Sequence, residues 1–230
     1  MILALLLALA QAQAAVPTAP PAPPRAAPSA PLSAATASRL LAIVFPVDSA
    51  IAEQRAAHRE ALAERIAGDP ALKALTAREP GFRPAVERDV DTLVDATYRR
   101  LTPDLQRDVA GIYRGALTEA EGAELIDIFS TPTGRKIVAA MHHGTAQSDA
   151  VTPDGIGNDG RANAMRALGP EDRPTLERIA GQPALMAKMR AAADPIRQAS
   201  NRFIERCTAE LGEALPKTVA ATAARYGRKG

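Results

Sequence analysis

From Pro84 to Leu101 the chain alternates at helical intervals: Val86, Val90, Leu93, Val94, Thr97 and Leu101 fall on one face, and Glu87, Arg88, Asp91, Asp95 and Arg99 on the other. Leu105, Val109, Ile112, Tyr113, Ala116 and Leu117 carry a second amphipathic stripe. Between the two, Thr102-Pro103 reads as a cap followed by a proline restart, which predicts two antiparallel neighbours. Thr118 and Glu121 have the spacing of a capping box, in which the hydroxyl accepts from a backbone N–H three residues on and the carboxylate reaches back. The helix they open points Leu125, Ile126, Ile128 and Phe129 one way and Glu124 and Asp127 the other. Thr131-Pro132 predicts a sharp corner, and Gly134 just beyond it lets the preceding helix come close, at about 1 kcal/mol of helix propensity. With the stripe Ile137, Val138, Met141, this makes four consecutive core helices.

The flanks are less regular. Leu40, Leu41, Ile43, Val44 and Phe45 form a dense cluster that stops at Pro46. Asp48 or Ser49 can cap a helix to Gly68, whose stripe Ile51, Arg55, His58, Leu62, Ile66 is broken by polar residues and predicts an outer position. Ser148 to Gly160, rich in turn formers, predicts the longest internal loop. Asp194 to Tyr226 closes the chain as a helix broken or kinked at Pro216. Arg65-Ile66-Ala67-Gly68-x-Pro70-Ala71-Leu72 recurs as Arg178-Ile179-Ala180-Gly181-x-Pro183-Ala184-Leu185. Leu117, Glu121, Leu125, Ile128 and Pro132 align with Leu168, Asp172, Leu176, Ile179 and Pro183. These matches fit either a degenerate internal duplication or coincidence in an Ala-rich chain. The expectation is an all-α orthogonal bundle of about eight short helices. Its domain spans 35–226, with a core at 84–147, a loop at 148–160 and C-terminal helices at 161–226.

Within this pattern Leu117-Thr118-x-x-Glu121, then Leu125-Ile126-x-Ile128-Phe129-x-Thr131-Pro132-x-Gly134-x-Lys136, resembles the signature of domain of unknown function two-zero-five-nine, a family of secreted, mostly proteobacterial helical domains. That signature usually reads Thr-x-x-Glu-Leu, then Phe-Tyr-x-Ser-Pro-x-Gly-x-Lys. The chain departs from it at Gly122 for Leu, Ile128 for Phe, Phe129 for Tyr and Thr131 for Ser, so the aromatic hydroxyl is lost. The resemblance implies a helical fold and export; the family brings no established activity with it.

Composition changes the picture in three ways. Hydrophobic residues make up 47% but aromatics only 3%, with no Trp, so the core must be built from aliphatic side chains and Ala. A net charge of +2, from 28 basic and 26 acidic residues, gives no strong field for nucleic acid. The third change is at the N-terminus. Met1 to Ala10 is an unbroken apolar run, followed by the small-x-small site Ala12-Gln13-Ala14, which reads as a signal peptide at 1–14 although no Lys or Arg precedes the run. The run is too short to span a bilayer, and no transmembrane segment is expected after cleavage. The Pro- and Ala-rich stretch at 15–34 reads as a disordered linker, and 227–230 as a basic tail. The chain is therefore expected in the periplasm or outside the cell. Cys207, the one cysteine, shares a helical stripe with Phe203, Ile204 and Leu211 and is expected to be buried.

Chemistry is sparse. His142 and His143 are adjacent on a helix, about 100° apart, a poor arrangement for one metal, and no ligand set accompanies them; neither metal nor cofactor is expected. Ser148 and Asp149 lack a nucleophile elbow. Glu119, Glu121, Glu124 and Asp127 read first as acids facing the positive end of a helix, with paired carboxylates or a cation site as the rival readings. Asp154, Gly155, Asn158 and Asp159 lack the closing Glu of an EF-hand. The first expectation is a non-catalytic envelope module that binds a protein partner through Thr131, Pro132, Gly134, Arg135 and Lys136, with Thr118 and Glu121 as helix caps. The alternative is a cell-envelope hydrolase using His142 or His143 with the acids near Glu121.

Overall fold

The computed structural model describes residues 30–146 and 153–228. Among these the chain is helical almost throughout and has no strand; an isolated antiparallel bridge joins Pro31 to Thr118. The helices are α1 (Ala34–Val44), α2 (Val47–Gly68), α3 (Pro70–Arg78), α4 (Phe82–Ala116), α5 (Glu119–Ser130), α6 (Pro132–Ala146), α7 (Pro153–Ala167), α8 (Arg173–Ala180) and α9 (Pro183–Gly227), with a 3-10 turn at Pro170–Asp172 before α8.

The all-α expectation holds, but the helices are not uniformly short. Thr102-Pro103 does not turn the chain: α4 runs 35 residues with Pro103 inside it. The closing helix starts at Pro183 rather than Asp194 and runs 45 residues through Pro195 and Pro216. The expected loop at 148–160 is helical from Pro153 onward, and Ser148 and Asp149 lie outside the described residues. Packing overrides turn propensity in α7. The Asn163 amide donates to the Ala140 carbonyl at 2.6 Å, and Ala164 is buried with Ile137 and Met141 of α6. The signal-peptide stretch and nearly all of the linker also fall outside the described residues. The end of that linker is folded: Leu32 is buried, and the Ser33 hydroxyl accepts from the Thr36 N–H as the N-cap of α1.

The described residues divide into two compact units, one built from the chain up to Pro46 with Asp104–Asn201, the other from Val47–Pro103 with the chain from Arg202. In the second unit, Leu62 and Ile66 of α2, Leu72 and Leu75 of α3, Phe82, Val86, Val90 and Val94 of α4, and Leu211 and Val219 of α9 form one aliphatic core. The α2 helix is thus not purely external: Ile51, Leu62 and Ile66 are all buried. Cys207 is buried as expected, and burial pushes its thiol up to about 12.

By length and composition, Ala34–Gly68 holds a window apolar enough to cross a membrane. Its apolar side chains Leu40, Leu41 and Val44 are buried within the helical fold, and the helix is interrupted between Val44 and Val47.

Candidate functional site

The first unit is organised around the α5–α6 corner. The capping box that opens α5 is complete: the Thr118 hydroxyl accepts from the Glu121 N–H at 3.4 Å, and the Glu121 carboxylate accepts from the Thr118 N–H at 2.8 Å. At the other end Thr131 serves two helices. Its hydroxyl donates to the Ile128 carbonyl at 2.7 Å and accepts from the Gly134 N–H at 3.0 Å. Its backbone is extended (ψ 161°), and this turns the chain. A β-carbon on Gly134 would stand 2.3 Å from the Ile128 carbonyl oxygen and 2.5 Å from Phe129 Cα, so only glycine permits this crossing.

Lys136 and Thr133 attach the corner to the turn before α8. The Lys136 ammonium lies 2.7 Å from both Glu171 and Asp172. Asp172 also accepts from the Thr133 hydroxyl at 2.8 Å and from the Gly169 N–H at 2.8 Å. Lys136, then the Gly169 N–H and Thr133, hold the Asp172 carboxyl down at about 2, against the upward push of its burial. Arg135, exposed, donates to the Ser130 carbonyl.

The acids of α5 are likewise engaged, and not only with the helix dipole. Glu119 accepts from the Ser33 N–H at 2.7 Å and from the Thr36 hydroxyl, tying the start of α1 to α5. Leu32 beside it fills the space over Gly122, where a β-carbon would meet its Cδ1 at 2.2 Å. The glycine that replaces the leucine of the family pattern is therefore matched by a leucine from the N-terminal segment. Glu121 pairs with Lys188 of α9 at 2.7 Å, and Glu124 with Arg178 of α8 at 2.7 Å. All three carboxyls sit below their ordinary range. Glu119 is lowered by Thr36 and the Ser33 N–H; Glu121 is raised by burial but lowered more by Lys188 and Thr118; Glu124 is lowered by Arg178.

The histidines have structural surroundings. The His142 ring meets Phe45 edge-on at a centroid distance of 5.6 Å, and its Nε2 lies 3.3 Å from the Val44 carbonyl. His143 lies in the last turn of α6. No group of three or more His, Cys, Asp or Glu that could hold a metal occurs among the described residues.

Thr131, Pro132, Gly134, Arg135 and Lys136 thus sit together as the sequence predicts, and each has a role within the fold. Thr131 caps, Pro132 starts a helix, Gly134 allows the close crossing, Arg135 holds a carbonyl and Lys136 makes the ion pair. Asp172 is the central residue that sequence reasoning missed as a site. Its alignment with Glu121 was the available signal, because each acid accepts from a backbone N–H three residues earlier and from a lysine.

Residues 103–156 match DUF2059, described as an uncharacterized protein conserved in bacteria. The expected resemblance is therefore found, and the DUF2059 segment begins at the proline inside α4 and holds all of α5 and α6. Arg178, Lys188 and Asp172, which pair with residues of the DUF2059 segment, lie outside it. No curated protein and no solved structure matches the chain.

Proposed function

We propose that this chain is an exported, non-catalytic helical protein of the bacterial envelope or periplasm, and that the α5–α6 corner is a rigid platform for a protein partner. The observation that carries the non-catalytic reading is the state of the carboxylates. Glu119, Glu121, Glu124 and Asp172 are all lowered by hydrogen bonds and cations. A general acid working near neutral pH needs the opposite, a carboxyl raised by burial or by a like charge, and a carboxylate acting as base or nucleophile must be open to substrate, whereas each of these is held by a hydrogen bond or ion pair within the fold. These four act as ions that pin helices together. The His142 ring, packed on Phe45, has a structural place of the same kind.

What the corner offers outward is Ser130, Pro132 and Arg135, all exposed on a backbone held from beneath by Gly134 and Thr131. A surface fixed in this way binds without an ordering cost. Export is supported by the apolar run Met1 to Ala10 and the small-x-small site that follows.

A photo-crosslinking residue at position 132 of the full chain in living cells should capture one protein reproducibly, and Arg135→Glu should abolish that capture. Capture that survives Arg135→Glu, or none at all, removes the platform idea. Replacing His142 and His143 together by alanine should leave the cellular phenotype unchanged. A periplasmic species whose mass begins at Ala15 tests export.

A further inference from the structure

The second unit has a cavity of 390 Å³ lined by Ala85, Arg88, Asp89, Arg225, Tyr226 and Arg228. Ala85, Arg88 and Asp89 are spaced i, i+3, i+4 and share one face of α4, while Arg225 and Arg228 lie three apart at the end of α9. Asp89, the one acid among the described lining residues, is already committed. Asp89 accepts from the Thr222 hydroxyl at 2.6 Å and pairs with Arg225, which also donates to that hydroxyl at 3.0 Å. This arrangement fixes one guanidinium and neutralises it. Arg88 and Arg228, both exposed, line the same space, and among the described lining residues three arginines face one aspartate, an excess of two positive charges. The ring of Tyr226 forms a firm wall, packed edge-on against Phe82 at 5.9 Å.

A helix C-terminus attracts cations, which accounts for Arg225 and Arg228. It does not account for Arg88, which lies near the opposite, N-terminal end of another helix. We propose that this cavity binds a phosphate-bearing ligand. Guanidinium forks match phosphate oxygens, and uncommitted arginines that converge on one space form the arrangement by which proteins hold that group. The volume leaves room for the rest of an ester beside the phosphate. The same chemistry serves a soluble phosphate ester or a phospholipid headgroup.

Calorimetric titration of the full chain with inorganic pyrophosphate, and co-sedimentation with phosphatidylglycerol vesicles against phosphatidylcholine vesicles, test it. Saturable binding should fall by roughly tenfold or more in the Arg88→Ala/Arg228→Ala double variant and weaken with added salt. Both side chains are exposed, so circular dichroism should not change. Arg135→Ala, in the other unit, should bind as the wild type does, which separates this site from the proposed corner. Vesicle binding lost with the double variant assigns a lipid phosphate; pyrophosphate binding without vesicle binding assigns a soluble ester. Failure of both probes to bind, equal affinity in the double variant, or equal loss with Arg135→Ala overturns the proposal.

Discussion

The dipeptide Thr-Pro occurs at 102–103 and again at 131–132, and the chain treats the two in opposite ways. At Thr131-Pro132 the helix ends and a new one starts; at Thr102-Pro103 the helix runs on. The difference lies four residues upstream. Proline has no N–H for the carbonyl at i−4, so a helix that continues through it abandons that carbonyl. Before Pro132 the abandoned group would belong to Ile128, only 1% exposed, and a carbonyl orphaned there has no water to turn to. The chain breaks instead, and the Ile128 carbonyl accepts from the Thr131 N–H at 3.2 Å and from its hydroxyl. Before Pro103 the carbonyl belongs to Arg99 on the exposed face. Four other prolines follow the same division. Pro70 and Pro183 start helices and have buried Ile66 and Ile179 at i−4, whereas Pro195 and Pro216 lie inside α9 and have exposed Ala191 and Gly212 there. Pro46, with exposed Ala42 at i−4, also ends a helix, so exposure permits continuation without compelling it.

The largest effect expected from breaking this contrast is at Gly134. Gly134→Ala drives a methyl into the backbone of Ile128 and Phe129 and should cost about 3 kcal/mol, seen as a lower urea midpoint at unchanged slope. A change below about 0.5 kcal/mol would mean that the corner is loose. Next come the prolines themselves. Pro103→Ala restores an interior hydrogen bond and should raise stability by about 2 kcal/mol, while Pro132→Ala, at a helix start, should stay within about 0.5 kcal/mol. Equal gains at both positions would sink the i−4 argument.

Much of this was legible from spacing alone. The capping box, the corner at Pro132 and the close crossing at Gly134 depend on residues within a few positions of one another, and all three are present. At Pro103 the dipeptide by itself misleads, although the amphipathic pattern already puts Arg99 on the polar face and Ile128 on the apolar one. The partners of the α5 acids could not be read that way. Lys188 is 67 residues from Glu121 and Arg178 is 54 from Glu124, and no local pattern couples such pairs. The helix at Pro153–Ala167 was hidden for a related reason, since its turn-forming composition is overruled by packing on α6.

The anchoring of the corner gives a smaller effect, read on the pH axis. The Asp172 carboxyl is held at about 2 in the folded chain, below its ordinary 3.8. A depressed carboxyl contributes stability that is full above its unfolded value and is lost as the pH falls through the folded one, so the window lies between about pH 4 and pH 2. Asp172→Asn should lower the melting temperature by a few degrees at neutral pH, and the gap to the wild type should close across that window. A gap that stays constant down to pH 2 would show that Lys136 and Thr133 do not draw on the ionised form.

The smallest effect is the sharpest test, because the two threonines should respond with opposite sign. Thr131→Val removes a hydroxyl that caps both the end of α5 and the start of α6, and should cost about 1 kcal/mol. The Thr102 hydroxyl is buried with no hydrogen-bond partner among the described residues, so Thr102→Val replaces an orphaned polar atom by a methyl of the same shape. An unsatisfied buried hydroxyl costs about 1 to 3 kcal/mol, and its removal should leave stability unchanged or raise it by about 1 kcal/mol in thermal melts. If Thr102→Val destabilises the protein as much as Thr131→Val does, the hydroxyl at 102 has a partner, and the two Thr-Pro steps are less different than their backbones show.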